Sequence, residues 1–146
     1  MRLSVEENPQ LDDIEVSISC PRFDRRVQAI VAAVNALDRK LLGEADDGST
    51  LIVPAGAVLY IETVDGRTFL YTQDTVLESR LRLYELEELL EGTEFVRISK
   101  SALANFDAVQ GLRPHGNGRL QLLLTNGERL VASRQYAPAI KAKIGL

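Results

Sequence analysis

The chain carries at residues 95–101 the stretch Phe95-Val96-Arg97-Ile98-Ser99-Lys100-Ser101, in which apolar residues alternate with cationic and hydroxyl residues. A period of two predicts a half-buried strand, and the small polar residues that follow predict a turn. A second donor-rich stretch, Ser133-Arg134-Gln135-Tyr136, lies further along the chain. Such side chains offer positive charge to phosphates and hydrogen-bond donors to base edges. These two stretches therefore predict a surface that binds DNA.

The charged residues are unevenly distributed around a net charge of −4. Residues 93–146 carry eight Lys and Arg against three Asp and Glu, whereas residues 1–50 and 51–92 are both acidic. This asymmetry is typical of a chain with a region that binds a polyanion. The alternative is that the acids lie on one exposed helix, because Glu85, Glu87, Glu88 and Glu91 are close together.

The composition argues against an enzyme. One His and one Cys, His115 and Cys20, leave no metal-ligand set and no His/Cys nucleophile pair. Lys100-Ser101 lacks the glycines that a phosphate-binding loop needs before it. We therefore expect no catalytic residues, no metal, no cofactor and no small-molecule substrate. The lone Cys20 and the lack of an apolar run that could span a bilayer favour the cytoplasm.

The first 48 residues predict a small strand-plus-helix extension. Residues 14–19 alternate strictly and predict a strand, which Pro21 ends. Helical spacing of apolar residues from Val27 to Leu41 predicts a helix over residues 24–42, with Asp24 as its N-cap and Gly43 just past its end. The polar stretch 46–49 is the candidate boundary, which gives domains at residues 1–48 and 49–146.

The second domain has the pattern of short antiparallel strands. Asp65-Gly66 and Asn126-Gly127 predict tight hairpin turns. Leucine spacing predicts a short helix over residues 83–90, residues 99–105 predict a tight turn or a single helical turn, and Ser133 suits the cap of a last helix. With eight or nine strands and two or three helices, the predicted class is mostly β (α+β). Strands are predicted at residues 58–64, 67–72, 75–80, 95–98, 108–113, 119–124 and 128–132.

An ordered set of segments resembles the LytTR family of bacterial DNA-binding domains over about residues 51–146. The set consists of Leu59-Tyr60-Ile61-Glu62 before a hairpin, the helix 83–90, residues 95–101 with Asn105, Asn126-Gly127 before a strand, and Ser133-Arg134-Gln135-Tyr136. The resemblance implies a LytTR-like antiparallel β domain with short helices. It also implies a sequence-specific transcription regulator that contacts successive major grooves of double-stranded DNA through loops.

The resemblance further implies which residues contact the bases, namely Thr68, Lys100 and Arg134. The forked guanidinium of Arg134 independently suits guanine O6 and N7. For Arg97 an ion pair with an acid is the alternative, and for Asn105 we favour a turn-stabilising role. Cationic and short polar side chains near these positions are the phosphate candidates: Arg67, Arg97, Ser99, Ser101, Ser133 and Gln135.

Two partners besides DNA are expected. Residues 1–50 are too short for the receiver domain of many family members, so the resemblance is to the stand-alone type. The resemblance to that type implies a restraining membrane protein as a partner. The stripe within residues 24–42 either covers the β domain or forms a homodimer. The alternative function is a protein-interaction module that uses its amphipathic helices and does not bind DNA.

Overall fold

The computed structural model describes all 146 residues and contains two antiparallel sheets. The larger sheet has seven strands in the order β2-β1-β5-β4-β3-β7-β6, and the smaller has three in the order β10-β9-β8. This arrangement confirms the mostly β (α+β) class. The elements are α1 Arg25–Asp38, β1 Lys40–Glu44, β2 Thr50–Pro54, β3 Val58–Val64, β4 Arg67–Thr72, β5 Val76–Ser79, α2 Leu83–Leu89, β6 Phe95–Ser99, β7 Ala102–Asn105, β8 Val109–Pro114, β9 Leu120–Leu124, β10 Arg129–Ala132 and α3 Ala137–Ile144.

Both predicted dipeptide turns lie at hairpin ends. Asp65 and Gly66 have φ values of 51° and 76°, and they join β3 to β4 at the predicted bounds. Gly127, with φ of 88°, lies in the turn between β9 and β10. Asp, Asn and Gly tolerate positive φ better than other residues, so these turns form where the sequence predicts them.

The main core lies between α2 and the larger sheet. Leu83, Leu86 and Leu90 turn one face of α2 inward, and all three are buried. The leucine spacing of residues 83–90 therefore correctly predicted a helix, and the structure packs this helix on the sheet. The side chains that complete this core come from five strands and the turn after β2: Leu41, Ala55, Val58, Ile61, Leu70, Leu77 and Leu103.

The smaller sheet packs on the other face of β3 and on β6. Leu59, Tyr60 and Leu124 are buried together at the first contact, and Tyr60 stacks on Tyr71 with ring centroids 4.2 Å apart. The Tyr60 hydroxyl donates a 2.7 Å hydrogen bond to Glu128 Oε2. Burial, followed by this hydrogen bond, raises the pKa of Tyr60 above its ordinary value. Tyr60 thus joins the two sheets.

Helix α1 packs on the β domain of its own chain. Asp24 caps it by accepting a 3.2 Å hydrogen bond from the Val27 backbone N–H, as predicted. Val27 and Ala32 are buried, and Asn35 Nδ2 donates to the Gly92 carbonyl at 2.9 Å. The apolar stripe is therefore covered in part by its own chain, since Val27 is buried while Leu37 is 75% exposed. Neither α1 nor any other helix combines the length and apolar character that a membrane span requires.

The predicted end of this helix is wrong. The helix ends at Asp38, and β1 follows at Lys40–Glu44. Leu41 and Gly43 both face the core, where a Cβ built on Gly43 would lie 2.6 Å from Leu77 Cβ. Pairing of β1 with β2 and β5 thus outweighs the helical spacing of Leu41, and Gly43 is a close-packing position instead of a cap. The predicted boundary at residues 46–49 is the turn of the β1–β2 hairpin.

Three other elements differ from their predictions. Residues 14–19 form no strand, because no strand of the chain pairs with them. Within 99–105 only residues 100–101 form a turn, and Ala102–Asn105 is the buried strand β7. The last helix begins at Ala137 instead of Ser133, since Pro138 fits the first turn of a helix only. Ser133 does not cap it, and the N-cap is Tyr136.

Candidate nucleic-acid interface

Two hairpin turns lie side by side at one end of the larger sheet. β3 is antiparallel to β7, so the β3–β4 turn and the β6–β7 turn meet at the same end. The backbone N–H of Thr63 donates to the Ser101 carbonyl at 2.8 Å, which fixes the second turn beside the first. This end carries Lys100, which is exposed and takes part in no salt bridge.

The segment after β10 joins the same end from the smaller sheet. The backbone N–H of Ser133 donates to the Ile98 carbonyl at 2.9 Å. This bond places residues 133–135 beside the stretch that leads to Lys100. Arg134 and Gln135 are exposed, and Arg134 likewise takes part in no salt bridge. Two cationic segments that are distant in sequence are therefore adjacent in the fold.

Arg134 lies across a glycine of the β8–β9 hairpin. A Cβ built on Gly118 would lie 2.7 Å from Cγ and 2.9 Å from Cδ of Arg134. Gly118 has a φ of 77°, so both its backbone and its close neighbour favour glycine. The neighbouring Gly116 has a φ of 80°, but a Cβ there would meet nothing within 4 Å. The hairpin thus supports the aliphatic part of Arg134.

Arg97 holds the β6–β7 turn from within. Its Nε donates to the Ser99 carbonyl at 2.6 Å and its Nη2 to the Lys100 carbonyl at 2.5 Å. Its Nη1 forms an ion pair with Glu87 at 2.9 Å, and only 20% of its side chain is exposed. The predicted alternative, pairing with an acid, is what the structure shows. Arg97 therefore positions Lys100, and all three nitrogens of its guanidinium already have a partner within the protein.

The hydroxyl groups in this region differ in accessibility. Ser101 is exposed and its backbone N–H donates to Ser99 Oγ at 3.2 Å, so Ser99 is partly used inside the turn. Ser133 is half-buried. Asn105 is buried, where it donates to the Val58 carbonyl and accepts from the Asp107 backbone N–H, both at 3.0 Å. The turn-stabilising role that we favoured for Asn105 is confirmed.

The first predicted contact, at residues 67–68, has a different geometry. Thr68 is only 6% exposed, and its hydroxyl lies 3.4 Å from that of Thr63. Arg67 makes a bidentate ion pair with Glu78, Nε–Oε2 at 3.0 Å and Nη2–Oε1 at 2.7 Å. The hydrogen bonds of this pair lower the pKa of Glu78 and raise that of Arg67. In this structure Thr68 is therefore buried and Arg67 is paired with an acid, and their predicted contacts with DNA stay predictions.

Sequence reasoning missed three cations of the smaller sheet. Arg113 Nε and Arg129 Nη1 both donate to Gln121 Oε1, at 2.8 Å and 3.0 Å. Arg119 donates to the Gly116 and His115 carbonyls in the hairpin that supports Arg134. The net positive charge of residues 93–146 was the signal for them, but only the pairing of β8, β9 and β10 places them on one sheet.

Comparisons with known proteins agree with this architecture. The family model of the LytTr DNA-binding domain matches residues 48–145. Two relatives from Staphylococcus aureus, strains RF122 / ET3-1 and MSSA476, are both named uncharacterized HTH-type transcriptional regulators. Each is 29% identical over 148 residues, which cover 100% of this chain and 99% of the relative.

A solved structure matches the fold as well. It is the LytTr DNA-binding domain of a putative methyl-accepting/DNA response regulator from Bacillus cereus, with a TM-score of 0.70 and 26% identity. The match covers 75% of this chain and 99% of that chain.

Proposed function

The chain belongs to the LytTR family of DNA-binding domains, and from this membership we propose that it is a sequence-specific regulator of transcription that binds double-stranded DNA. The proposed interface consists of the β6–β7 turn with Lys100 and Ser101, and the segment after β10 with Ser133, Arg134 and Gln135. The family is one of DNA-binding domains and not an enzyme class. We place its action in the cytoplasm, where bacterial DNA is accessible.

The observation that carries the proposal is the hydrogen bond from Ser133 N–H to the Ile98 carbonyl. It places two cationic segments side by side, and both Lys100 and Arg134 are free of acidic partners. In an acidic chain, such a local excess of positive charge attracts a polyanion to this end of the molecule. Arg134 is the proposed base contact, and the Ser hydroxyls and Lys100 are proposed to contact phosphates or a base.

Loops are proposed to enter the major grooves. Although the relatives carry the name HTH-type, no two α-helices of this chain follow one another directly, so a helix-turn-helix unit has no counterpart here. Turns that lie in a row along one end of a sheet suit a duplex whose grooves recur along its axis. We leave Thr68 out of the base-contacting set because it is buried and Arg67 out of the phosphate-contacting set because it is paired with Glu78, and we assign Arg97 a positioning role.

The test is binding to duplexes selected from a random pool, measured by fluorescence anisotropy at several salt concentrations. Arg134→Ala is expected to cost about 1–3 kcal/mol on the selected site and to relax its sequence preference. The matched control is Arg26→Ala, which removes the same charge from an exposed position of α1. Equal affinity of the two variants would reject the proposed base contact.

The salt dependence tests the proposal as a whole. Each phosphate contact is expected to add about 0.9 to the slope of log affinity against log salt. A protein that binds no duplex at any salt concentration would instead favour the interaction-module alternative. A restraining membrane protein stays a prediction from the resemblance. The homodimer through residues 24–42 also stays a prediction, and the packing of α1 on its own sheet gives it no support.

A further inference from the structure

We propose that residues 14–19 of one copy of this chain add as an antiparallel strand to the free edge of β2 in a second copy, and that the exchange is reciprocal. The proposal concerns self-association and does not depend on DNA binding. It follows from a strand-like segment without a partner, a sheet edge without a partner, and charges that match when the two are combined.

The segment 14–19 has the pattern of a strand but pairs with nothing. Ile14, Val16 and Ile18 alternate with Glu15, Ser17 and Ser19. All six residues are exposed, Ile14 to 86%, and none makes a backbone–backbone hydrogen bond. Alternation of this kind is typical of a strand with one buried face. The segment therefore has the chemistry of a sheet strand without the sheet.

The edge of β2 is open. β2 is the last strand of the larger sheet, and its other side pairs with β1. The hydrogen bonds Ala45 N–H to Ser49 and Ala55 N–H to Arg39 flank this ladder, both at 2.9 Å. Because bonded pairs alternate in an antiparallel ladder, the N–H and C=O groups of Thr50 and Ile52 point outward. Leu51, on the face of β2 towards the core, is also 42% exposed at this unprotected edge.

One register of the segment 14–19 against β2 satisfies the backbone hydrogen bonds and also matches the apolar and polar faces of the two strands. If Ser19 lies opposite Thr50, then Ser17 exchanges backbone hydrogen bonds with Ile52. Ile18 and Val16 then lie opposite Leu51 and Val53, on the face of β2 that packs towards the core. The polar residues of the segment share the solvent face with Thr50, Ile52 and Pro54. The alternation of the segment therefore continues the two faces of the sheet.

The charges favour the antiparallel direction. In this register Glu15 lies opposite Pro54, whose partner in β1 is Lys40. At the other end, Arg22 lies beside the turn that carries Asp46 and Asp47. A parallel strand would place Arg22 at the Lys40 end and the acids at the acidic turn, which costs free energy by like-charge repulsion.

The occupant is a second copy because the segment pairs with no strand of its own chain, and Arg25 at the start of α1 donates to the Ile144 carbonyl, with the 14-residue helix between it and β1. Reciprocal exchange gives a two-fold dimer in which the same surface is used twice, and the β2 edge of each copy is covered by the segment of the other. Adding a strand to an exposed edge is a common mode of recognition, since the backbone supplies the affinity and alternate side chains supply the specificity. Pro21 separates the strand from α1 and suits the hinge of such an exchange.

The first test is sedimentation velocity of the full chain at micromolar concentrations. Wild type is expected to sediment as a dimer. Ser17→Pro removes the N–H that would bond to Ile52, and it is expected to weaken dimerisation at least about tenfold. Ser17 is exposed and unpaired in the single chain, so this change leaves the fold intact. The matched control, Ser4→Pro, lies outside the segment and is expected to remain a dimer.

The second test identifies the partner of β2 by a disulfide. In a Cys20→Ser background, the pair Ser17→Cys and Ile52→Cys is expected to form a covalent dimer on mild oxidation, because bonded pairs have Cα atoms about 5.5 Å apart. A disulfide within one chain would show that the segment pairs with its own edge and would overturn the proposal. A monomeric wild type, or equal dimerisation of Ser17→Pro and Ser4→Pro, would also overturn it.

Discussion

Arg67 and Arg97 lie near the same end of the larger sheet, and the sequence predicts the same phosphate-binding role for both. The structure gives them different partners. Arg67 is exposed, but both ends of its guanidinium fork bind Glu78 on the next strand. Arg97 is half-buried, and two of its three hydrogen bonds go to backbone carbonyls of the β6–β7 turn.

The difference between these regions shows that cross-strand neighbours determine which cations are paired with an acid. Phe69 pairs with Glu78, and Arg67 lies two residues before Phe69 on the same face, within reach of the carboxylate. At the other turn Lys100 and Arg134 form no salt bridge, and the nearby acid Glu87 binds Arg97. Arg67 is thus paired with an acid, whereas Lys100 and Arg134 are not.

The largest expected effect comes from replacing Arg97 and Arg67 by alanine in two separate variants. Arg97→Ala leaves two turn carbonyls without a donor, so we expect the free energy of unfolding to fall by about 2–3 kcal/mol. DNA affinity is expected to fall at least about tenfold, because Lys100 loses its support. Arg67→Ala breaks only an exposed pair and is expected to cost less than about 1 kcal/mol. Urea unfolding and anisotropy measure both, and equal losses would contradict the comparison.

The next effect concerns the glycines of the β8–β9 hairpin. Gly116→Ala and Gly118→Ala each place a side chain at positive φ and are each expected to cost about 1–2 kcal/mol of stability. Only Gly118→Ala displaces Arg134. We therefore expect its affinity for the selected duplex to be about five- to tenfold lower than that of Gly116→Ala.

A double-mutant cycle makes this prediction specific. In an Arg134→Ala background the two glycine variants are expected to bind DNA equally, because the side chain that Gly118→Ala displaces is gone. A difference that persists in that background would show that Gly118 acts through the hairpin itself.

A smaller effect is expected from releasing Arg67. Glu78→Gln removes the acid and is expected to raise DNA affinity about twofold at low salt, with a salt slope that increases by at most about 0.9. Glu94→Gln is the matched control, since Glu94 pairs with Lys143 at 3.5 Å and precedes β6 at the end opposite the β6–β7 turn. If both variants bind like wild type, Arg67 lies outside the reach of the duplex.

The smallest effect concerns Tyr60, which joins the two regions. Because its pKa is raised, the Tyr60 hydroxyl of the folded chain keeps a proton that the unfolded chain releases at about pH 10. Its contribution to stability is therefore present below about pH 10 and is lost as the pH rises. We expect the free energy of unfolding of wild type to fall more steeply between about pH 9 and pH 11 than that of Tyr60→Phe. Tyr84→Phe, at an exposed position, is expected to behave like wild type.

Local signals predicted much of the fold. Asp65-Gly66 and Asn126-Gly127 fix hairpins through backbone preferences, and the spacing of Leu83, Leu86 and Leu90 specifies one buried helix face. Residues 40–44 were misassigned because Leu41 fits a helical period as well as a strand period, and only the pairing with β2 distinguishes them.

The candidate site was predictable in composition but not in detail. Lys100 and Arg134 could be identified from residue type and order, and the structure leaves both exposed. The surroundings of Thr68, Arg67 and Arg97 could not be predicted. The two arginines bind acids that lie 11 and 10 positions away along the chain, Glu78 and Glu87, and the burial of Thr68 depends on strand pairing. Arg113, Arg119 and Arg129 were missed because only the pairing of β8, β9 and β10 brings them together.

The close approach of Arg134 to Gly118 has a consequence for how this protein can diverge among lineages. Any residue other than glycine at position 118 would displace the long stem at position 134. A lineage that keeps Arg134 is therefore expected to keep Gly118. In a lineage with a shorter residue 134 the steric reason for the glycine is gone, and only its positive φ still favours glycine. Across descendants we expect the two positions to change together, and position 116 to drift independently of both.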